Sequence, residues 1–217
     1  MITKDLEVIS VFGARGGGKT TLVMELLAQG QRQRVIVYDL KDEYRFKKIR
    51  GKAALWKFLK QNWYRDFKIS YVPDARETPE HVKELSDICF AIAKGQKADE
   101  SKGKGKNITI LVEEMSVTAP NQRYPAGMGG FPYVVNVARE WGVEVIGVSQ
   151  RPAQANPDFR GNSTLNYYFH LSDRNDVQAV KAKLGSQAED LKTLERGDYI
   201  KFHSGMITRG KTKPRRR

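Results

Sequence analysis

The chain has little of what holds metal-bound, disulfide-bonded or membrane-spanning proteins together. Its 217 residues include one cysteine and three histidines. A lone Cys89 excludes an internal disulfide and fits a reducing compartment. With Val82, Leu85, Ile88 and Ile92 around it at helical spacing, it reads as a core residue. His81, His170 and His203 have no cysteines at metal-ligand spacing. No apolar run approaches the length of a membrane span, and Met1-Ile2-Thr3-Lys4-Asp5 lacks the apolar core of a secretion signal, so no transmembrane segment is expected. No internal repeat is visible. Negative charge is scarce as well: 25 acidic residues face 38 lysines and arginines, a net charge of +13. Neutralising a polyanion would use such an excess, because binding its phosphates releases counterions. A soluble protein with a merely basic surface is the plainer account.

What is present is a strand–helix alternation in a chain of single-domain size, which implies an α/β fold around a mainly parallel central sheet flanked by helices. Strands are expected at 6–12, 34–40, 67–72, 107–112, 143–148 and 165–171. A short amphipathic helix is expected at 53–59. Leu55, Phe58 and Leu59 have core spacing there, which favours packing over base stacking by the nearby aromatics. Thr78 as cap and Pro79 in the first turn open a longer helix to about Lys94. Residues 95–106 (GQKADESKGKGK) read as a mobile loop, and 116–132, rich in proline and glycine, as a second one. A helix is expected at 133–141, and Asp173 caps the helix that carries Val177, Val180 and Leu184. A hairpin over 198–207 ends the domain. The reading is thus one domain, 1–208, followed by a basic flexible tail, 209–217 (RGKTKPRRR), too charged to pack.

The most specific feature is Gly13-Ala14-Arg15-Gly16-Gly17-Gly18-Lys19-Thr20, a Gly-x-x-x-x-Gly-Lys-Thr phosphate loop with an apolar strand before it and a helix, opening at Thr21, after it. Glycines let successive backbone N–H groups converge on phosphates, at the positive end of a helix. In that motif Lys19 reaches the β- and γ-phosphates and the Thr20 hydroxyl holds Mg²⁺. The strand at 108–112 ends in Glu113-Glu114, where ligand sites of parallel sheets lie. Glu113 is the expected Mg²⁺ contact, although it is one methylene longer than the usual Asp. Glu114 is the expected orienter of the attacking water. The next strand ends in Ser149-Gln150-Arg151-Pro152, and a glutamine there can bond both the terminal phosphate and that water. Arg139 has two readings: a cation facing a neighbouring subunit, or a surface ion pair with Glu140 or Glu144.

Together the loop GARGGGKT, the strand end Val37-Tyr38-Asp39-Leu40-Lys41, ILVEE, and Ala138-Arg139-Glu140-Trp141-Gly142-Val143 running into SQRP resemble the HerA/FtsK superfamily of DNA-pumping P-loop ATPases, of the RecA-like (ASCE) fold. The compact core resembles the genome-packaging ATPases of internal-membrane icosahedral viruses of the tectivirus-like and turreted archaeal types, over roughly residues 7–175. The resemblance implies ATP and Mg²⁺ as cofactors and a homo-oligomeric ring, hexameric in the family, around double-stranded DNA. It further implies partners at a capsid vertex or viral internal membrane, and a location in the virion and the host cytoplasm. It implies Arg139 as a finger acting in trans, or Arg15 as one in cis; Arg151 is a third choice. Sequence-independent DNA contacts would then fall to Lys97, Lys102, Lys104, Lys106 and Arg123.

Other readings of the same residues are a plasmid-transfer or chromosome-processing translocase, a nucleotide-dependent DNA-binding protein without hydrolysis, and a small-molecule kinase. Binding alone has no need of a Glu114–Gln150 pair, and a kinase plan has no place for SQRP.

Overall fold

A computed structural model describes Ile2 and residues 6–213. Along the chain lie β1 (Val8–Phe12), α1 (Lys19–Ala28), β2 (Arg34–Tyr38), β3 (Lys47–Arg50), α2 (Lys52–Asn62), β4 (Phe67–Val72), α3 (Thr78–Glu100), β5 (Ile108–Val112) and α4 (Met115–Thr118). There follow α5 (Gly130–Val137), running into a 3-10 helix at Ala138–Trp141, then β6 (Val143–Ser149), α6 (Pro157–Asn162), β7 (Leu165–Tyr168), α7 (Arg174–Leu184), β8 (Asp198–His203) and β9 (Met206–Lys211). The nine strands among the described residues join one sheet in the order β3-β4-β2-β5-β6-β1-β7-β8-β9. Pairing is parallel from β3 through β7 and antiparallel in the closing β7-β8-β9 meander.

The apolar runs explain this layering. β1, β2, β5 and β6 are buried at every residue, as parallel strands covered on both faces must be. Alternation then divides their side chains. Ile9, Val11, Val35, Val37, Leu111, Ile146 and Val148 meet α1 through Leu22, Val23, Leu26 and Leu27. Val8, Phe12, Ile36, Ile110, Val112 and Val145 face the opposite layer, built from α2, α3, α5 and α7. Cys89 lies in that second core, fully buried. Because the interior strands are parallel, the C-terminal ends of β1, β2, β5 and β6 reach the same edge. The registers Phe12↔Ser149 and Val112↔Gly147 bring the ends of β1, β6 and β5 nearly level.

Several sequence expectations are corrected. The expected 95–106 loop is helical as far as Glu100. Gly95 is a close-packing position rather than a breaker, since a Cβ there would stand 2.9 Å from the Trp63 ring. The polar run is held through its own buried Gln96 and Asp99: Gln96 Nε2 donates to the Lys106 carbonyl at 2.7 Å, and Asp99 accepts from Trp63 Nε1 at 2.5 Å and Tyr64 Oη at 3.0 Å. The residue before α3 is Glu77, not Thr78, and its N–H is bonded by the Glu80 carboxylate three residues on. The 116–132 loop contains α4 and the start of α5. Edge strand β3 has a single buried residue, Ile49, and so carried no apolar signal. Arg209 to Lys211, assigned to the tail, continue β9 opposite Ile200, Tyr199 and Asp198. Residues 214–217 lie outside the described residues. Asp173 does cap α7, accepting from the Asn175 and Asp176 N–H groups.

At the N-terminal edge of the sheet Arg32 and Glu144 form a bidentate ion pair. Arg32 Nε and Nη2 each lie 2.7 Å from a different Glu144 oxygen. Glu144 is therefore taken and forms no pair with Arg139. No helix among the described residues is long and apolar enough to cross a membrane.

Candidate active site

The turn from β1 into α1 supplies the phosphate loop. Gly13 (φ 155°) lies so close to Phe169 that a Cβ would come within 2.5 Å of that residue's Cβ. Gly18 (φ 116°) caps α1 in a left-handed conformation. Both conformations exclude ordinary side chains at little cost only to glycine. The Gly13 N–H donates to the Ser149 carbonyl at 3.2 Å and the Ala14 N–H to that of His170 at 2.8 Å, which fastens the loop to the ends of β6 and β7. A strap from the far end of the chain crosses its second half. The Gly197 N–H donates to Gly17 O at 2.9 Å, Thr212 N–H to Gly197 O at 2.9 Å, and Lys213 N–H to Glu25 Oε1 at 3.0 Å.

The pocket at this edge, about 470 Å³, is lined by Arg15, Gly16, Lys19, Thr20, Lys41, Glu43, Glu113, Glu114 and Gln150, among others. Lys19 opens α1 and folds back, donating to the Gly13 and Ala14 carbonyls at 2.7 and 2.9 Å. Burial pushes its ammonium down to about 8, against the pull of Glu113 and Glu114.

Glu113 and Glu114 follow β5 directly and have different environments. Glu113 is 7% exposed and accepts from the Tyr44 hydroxyl. Burial raises its carboxyl above the ordinary value, with the Tyr44 bond and the Lys41 charge opposing. Glu114 has a left-handed backbone (φ 50°, ψ 60°), a strained conformation of the kind that gathers at functional sites. Its Oε2 accepts from Lys41 Nζ at 2.5 Å and Gln150 Nε2 at 3.0 Å, while Ser116 Oγ lies 3.3 Å from Oε1. Burial alone would raise its carboxyl; the Lys41 bond and charge, with Gln150 and Ser116, outweigh that and lower it. Gln150 reaches Glu114 because β6 lies between β5 and β1.

Lys41, Tyr44 and Asp39 were not picked out as site residues from the sequence. Asp39 directly follows β2, has no exposed surface, and accepts from the Glu43 and Tyr44 N–H groups, each at 3.0 Å, and from Ser70 Oγ at 2.5 Å. That turn aims Tyr44 at Glu113 and Lys41 at Glu114. The signal available in advance was the strand end Val37-Tyr38-Asp39-Leu40-Lys41, which carried the resemblance without giving Asp39, Lys41 or Tyr44 a task.

Of the other sequence-chosen residues, Arg15 lines the pocket and Thr20 and Thr21 lie in the first turn of α1. Arg151 is engaged by α7, with Nε 2.5 Å from Asp176 and Nη2 3.4 Å from Asp173. Arg139 precedes β6, about 20 Å of strand from Gln150. Within one chain it does not reach the pocket. Lys97, over the Trp141 ring at 5.0 Å, and Lys102, Lys104 and Lys106 lie toward that same far edge, before β5. Arg123 is on the pocket edge, in a loop pinned by the Asn121 N–H to Gln154 O bond of 2.7 Å. The lysines and Arg123 are thus not brought together. A larger cavity of about 630 Å³ also opens at the far edge, but its Arg32 and Glu144 already neutralise each other.

No cluster of three His, Cys, Asp or Glu side chains able to hold a metal occurs among the described residues. The oxygen donors of Thr20 and Glu113 do fit a Mg²⁺ that arrives with a nucleotide, since Mg²⁺ commonly takes few protein ligands and several phosphate or water oxygens.

No protein-family model matches the sequence, and a comparison with curated proteins finds no relative. Solved structures do match in fold. The genome packaging NTPase B204 of Sulfolobus turreted icosahedral virus 2, in complex with AMPPCP, aligns at TM-score 0.70 and 16% identity, over 98% of this chain and 100% of that one. VirB4 of Thermoanaerobacter pseudethanolicus aligns at 0.69 and 11% identity, over 95% and 89%. The pCW3 conjugation coupling protein TcpA, with ATPγS, aligns at 0.63 and 13%, over 96% of this chain but 60% of its own. The chain therefore has the P-loop ATPase fold, a mainly parallel sheet closed by a C-terminal hairpin. This is the fold that the resemblance carried by the motifs implies.

Proposed function

We propose that this chain is a genome-packaging motor that hydrolyses ATP to drive double-stranded DNA into a preformed capsid. The observation that carries the reading is the convergence of Lys19, Glu114 and Gln150 on one pocket, in a fold that aligns over 98% of this chain and 100% of a packaging NTPase. The basic balance of the chain fits a DNA substrate. A plasmid-transfer translocase shares the core and is the second reading, favoured by the TcpA and VirB4 alignments.

In this reading the backbone N–H groups of the loop after Ala14, with the N-terminus of α1, cradle the phosphates and Lys19 neutralises the terminal ones. Thr20 and Glu113 would hold Mg²⁺, which supplies charge neutralisation on the phosphate oxygens when bound. Glu114 orients a water and takes its proton as the water oxygen bonds to the terminal phosphorus. The bond from phosphorus to the bridging oxygen breaks, and the electron pair leaves with the diphosphate. Gln150, bonded to Glu114 and near the same point, fixes the water's position. Arg139 acts on a neighbour's nucleotide in a ring, with Arg15 as the cation supplied in cis. Lys97, Lys102, Lys104, Lys106 and Arg123 contact DNA phosphates. The virion's packaging vertex and the host cytoplasm are the corresponding locations.

Phosphate release from the purified chain, with and without duplex DNA at low salt, tests this. DNA should raise the rate, and Lys19→Ala should abolish it. Equal rates with and without DNA would count against a motor, and full activity in Lys19→Ala would refute the site.

A further inference from the structure

We propose that the cavity at the N-terminal edge of the sheet is a second ligand site, where Arg34, with Lys106, takes the oxyanion of a small molecule, a carboxylate or phosphate group. The cavity, about 630 Å³, is lined by Arg32, Arg34, Asp66, Lys106 and Glu144, among others. It lies at the opposite ends of β2, β5 and β6 from the nucleotide pocket. A volume of this size suits a small molecule.

Two guanidinium groups belong to this wall, and they differ in what they bind. Arg32 presents Nε and Nη2 as a fork, and Glu144 fills it, one oxygen 2.7 Å from each nitrogen. The same fork of Arg34 is unfilled. Its Nε is closed off from solvent and has no hydrogen-bond partner among the described residues, and Nη2 reaches only Gln96 Oε1, at 3.5 Å. Nη1 is the well-bonded nitrogen, 2.8 Å from the Lys106 carbonyl. The residue is 2% exposed. Burial pulls its guanidinium down to about 10, against the Asp99 and Asp66 charges, so it stays a cation at neutral pH. Both carboxylates are engaged elsewhere: Asp99 accepts from Trp63 and Tyr64, and Asp66 lies 3.9 Å from Lys106 Nζ. The guanidinium carbon stands 4.7 Å over the Trp63 ring and 5.9 Å over that of Phe67. Rings on its faces fix the plane and leave its edge without an acceptor.

The wall thus carries three cations and two carboxylates, and Arg34 is the cation left over. A buried cation without a counter-charge is costly to keep, and a group with two oxygens side by side satisfies both open N–H groups at once. Lys106, half-exposed and donating to the Tyr64 carbonyl at 3.0 Å, brings a second ammonium to the same cavity.

The test titrates inorganic phosphate and, separately, acetate into the full chain at constant ionic strength, following tryptophan emission. Trp63 reports on Arg34 because it stacks on it, and no tryptophan is among the residues that line the nucleotide pocket. At least one probe should give a saturating change, and the tighter of the two identifies the group as phosphate or carboxylate. Arg34→Lys keeps the charge but loses the fork, so its affinity should fall at least about tenfold. Lys106→Gln, at a half-exposed position, should lose about threefold. Trp63→Phe should abolish the signal. No saturating response to either probe, or equal affinity in wild type and Arg34→Lys, would overturn the site and leave Arg34 a packing residue. Should Arg34→Lys not fold, Lys106→Gln decides alone, and an unchanged affinity there would overturn the proposal.

Discussion

Truncating Glu144 to alanine removes one side of the ion pair that ties β6 to the segment after α1. The pair is bidentate at 2.7 Å on both arms, and Thr109 Oγ1 adds a third bond to Glu144 at 2.8 Å. The side chains are only 9% and 6% exposed. Glu144→Ala leaves the guanidinium with the Leu26 carbonyl and Gln29 Oε1 as acceptors and no counter-charge. Breaking a buried pair costs about 3–5 kcal/mol, and the adjoining cavity gives water some access, so the lower end, about 3 kcal/mol, is expected. In a domain of this size that is a fall in Tm of about 6–12 °C. Arg32→Met should cost a similar amount. The double variant Arg32→Met/Glu144→Leu should recover most of it, because an apolar pair of similar volume leaves no charge buried. Urea unfolding followed by tryptophan fluorescence, with scanning calorimetry, measures all three. Nucleotide affinity should be unchanged, since Glu144 lies about 20 Å along β6 from Gln150. A loss below about 1 kcal/mol in Glu144→Ala, or a double variant no better than either single one, would refute the buried-pair reasoning.

Two further outcomes concern the pocket. Glu114→Gln keeps the shape and the Gln150 contact but removes the proton acceptor, so turnover should fall about 10²–10⁴-fold while ATP still binds; loss of binding in parallel with turnover would contradict the role. The Lys19 ammonium, held down to about 8 by burial, must be protonated to attract phosphate. Affinity for ATP should therefore be level below pH 8 and fall up to about tenfold per unit above it, with proton uptake on binding there. Titration calorimetry between pH 7 and 9.5 reads this, and a flat profile would contradict the depressed ammonium.

The parts of the site that were legible in the sequence are those written into single strand ends. The glycines before Lys19, the acids after β5 and Gln150 after β6 each follow a buried apolar run, and parallel pairing brings such ends to one edge. The contacts of Lys41 and Tyr44 were not legible because they arise from β2 lying beside β5, 74 residues away in register at Tyr38↔Val112 and Val37↔Leu111, and from a turn shaped by Asp39. Gly95 misled because a glycine demanded by the Trp63 ring looks the same in sequence as a glycine that ends a helix. Strand β3 was missed for the opposite reason: its lysines and arginine face solvent at the sheet edge, and hydrogen bonding to β4 rather than apolar burial makes it a strand. Arg139 precedes β6, at the opposite end of that strand from Gln150, so a part in this pocket could come only from a neighbouring copy.

The strap over the phosphate loop has a consequence for how the protein comes into being. β1 leaves the ribosome before the other described strands, but its partners are β6 and β7, in register at Val145 and Leu165, and Gly17 and Glu25 wait for Gly197 and Lys213. Contacts of such long sequence separation form late. The nascent chain thus carries the whole GARGGGKT motif long before it has a nucleotide site. The loop's anchoring bonds to Ser149, His170 and Gly197 thus close only in a chain whose synthesis has reached Gly197.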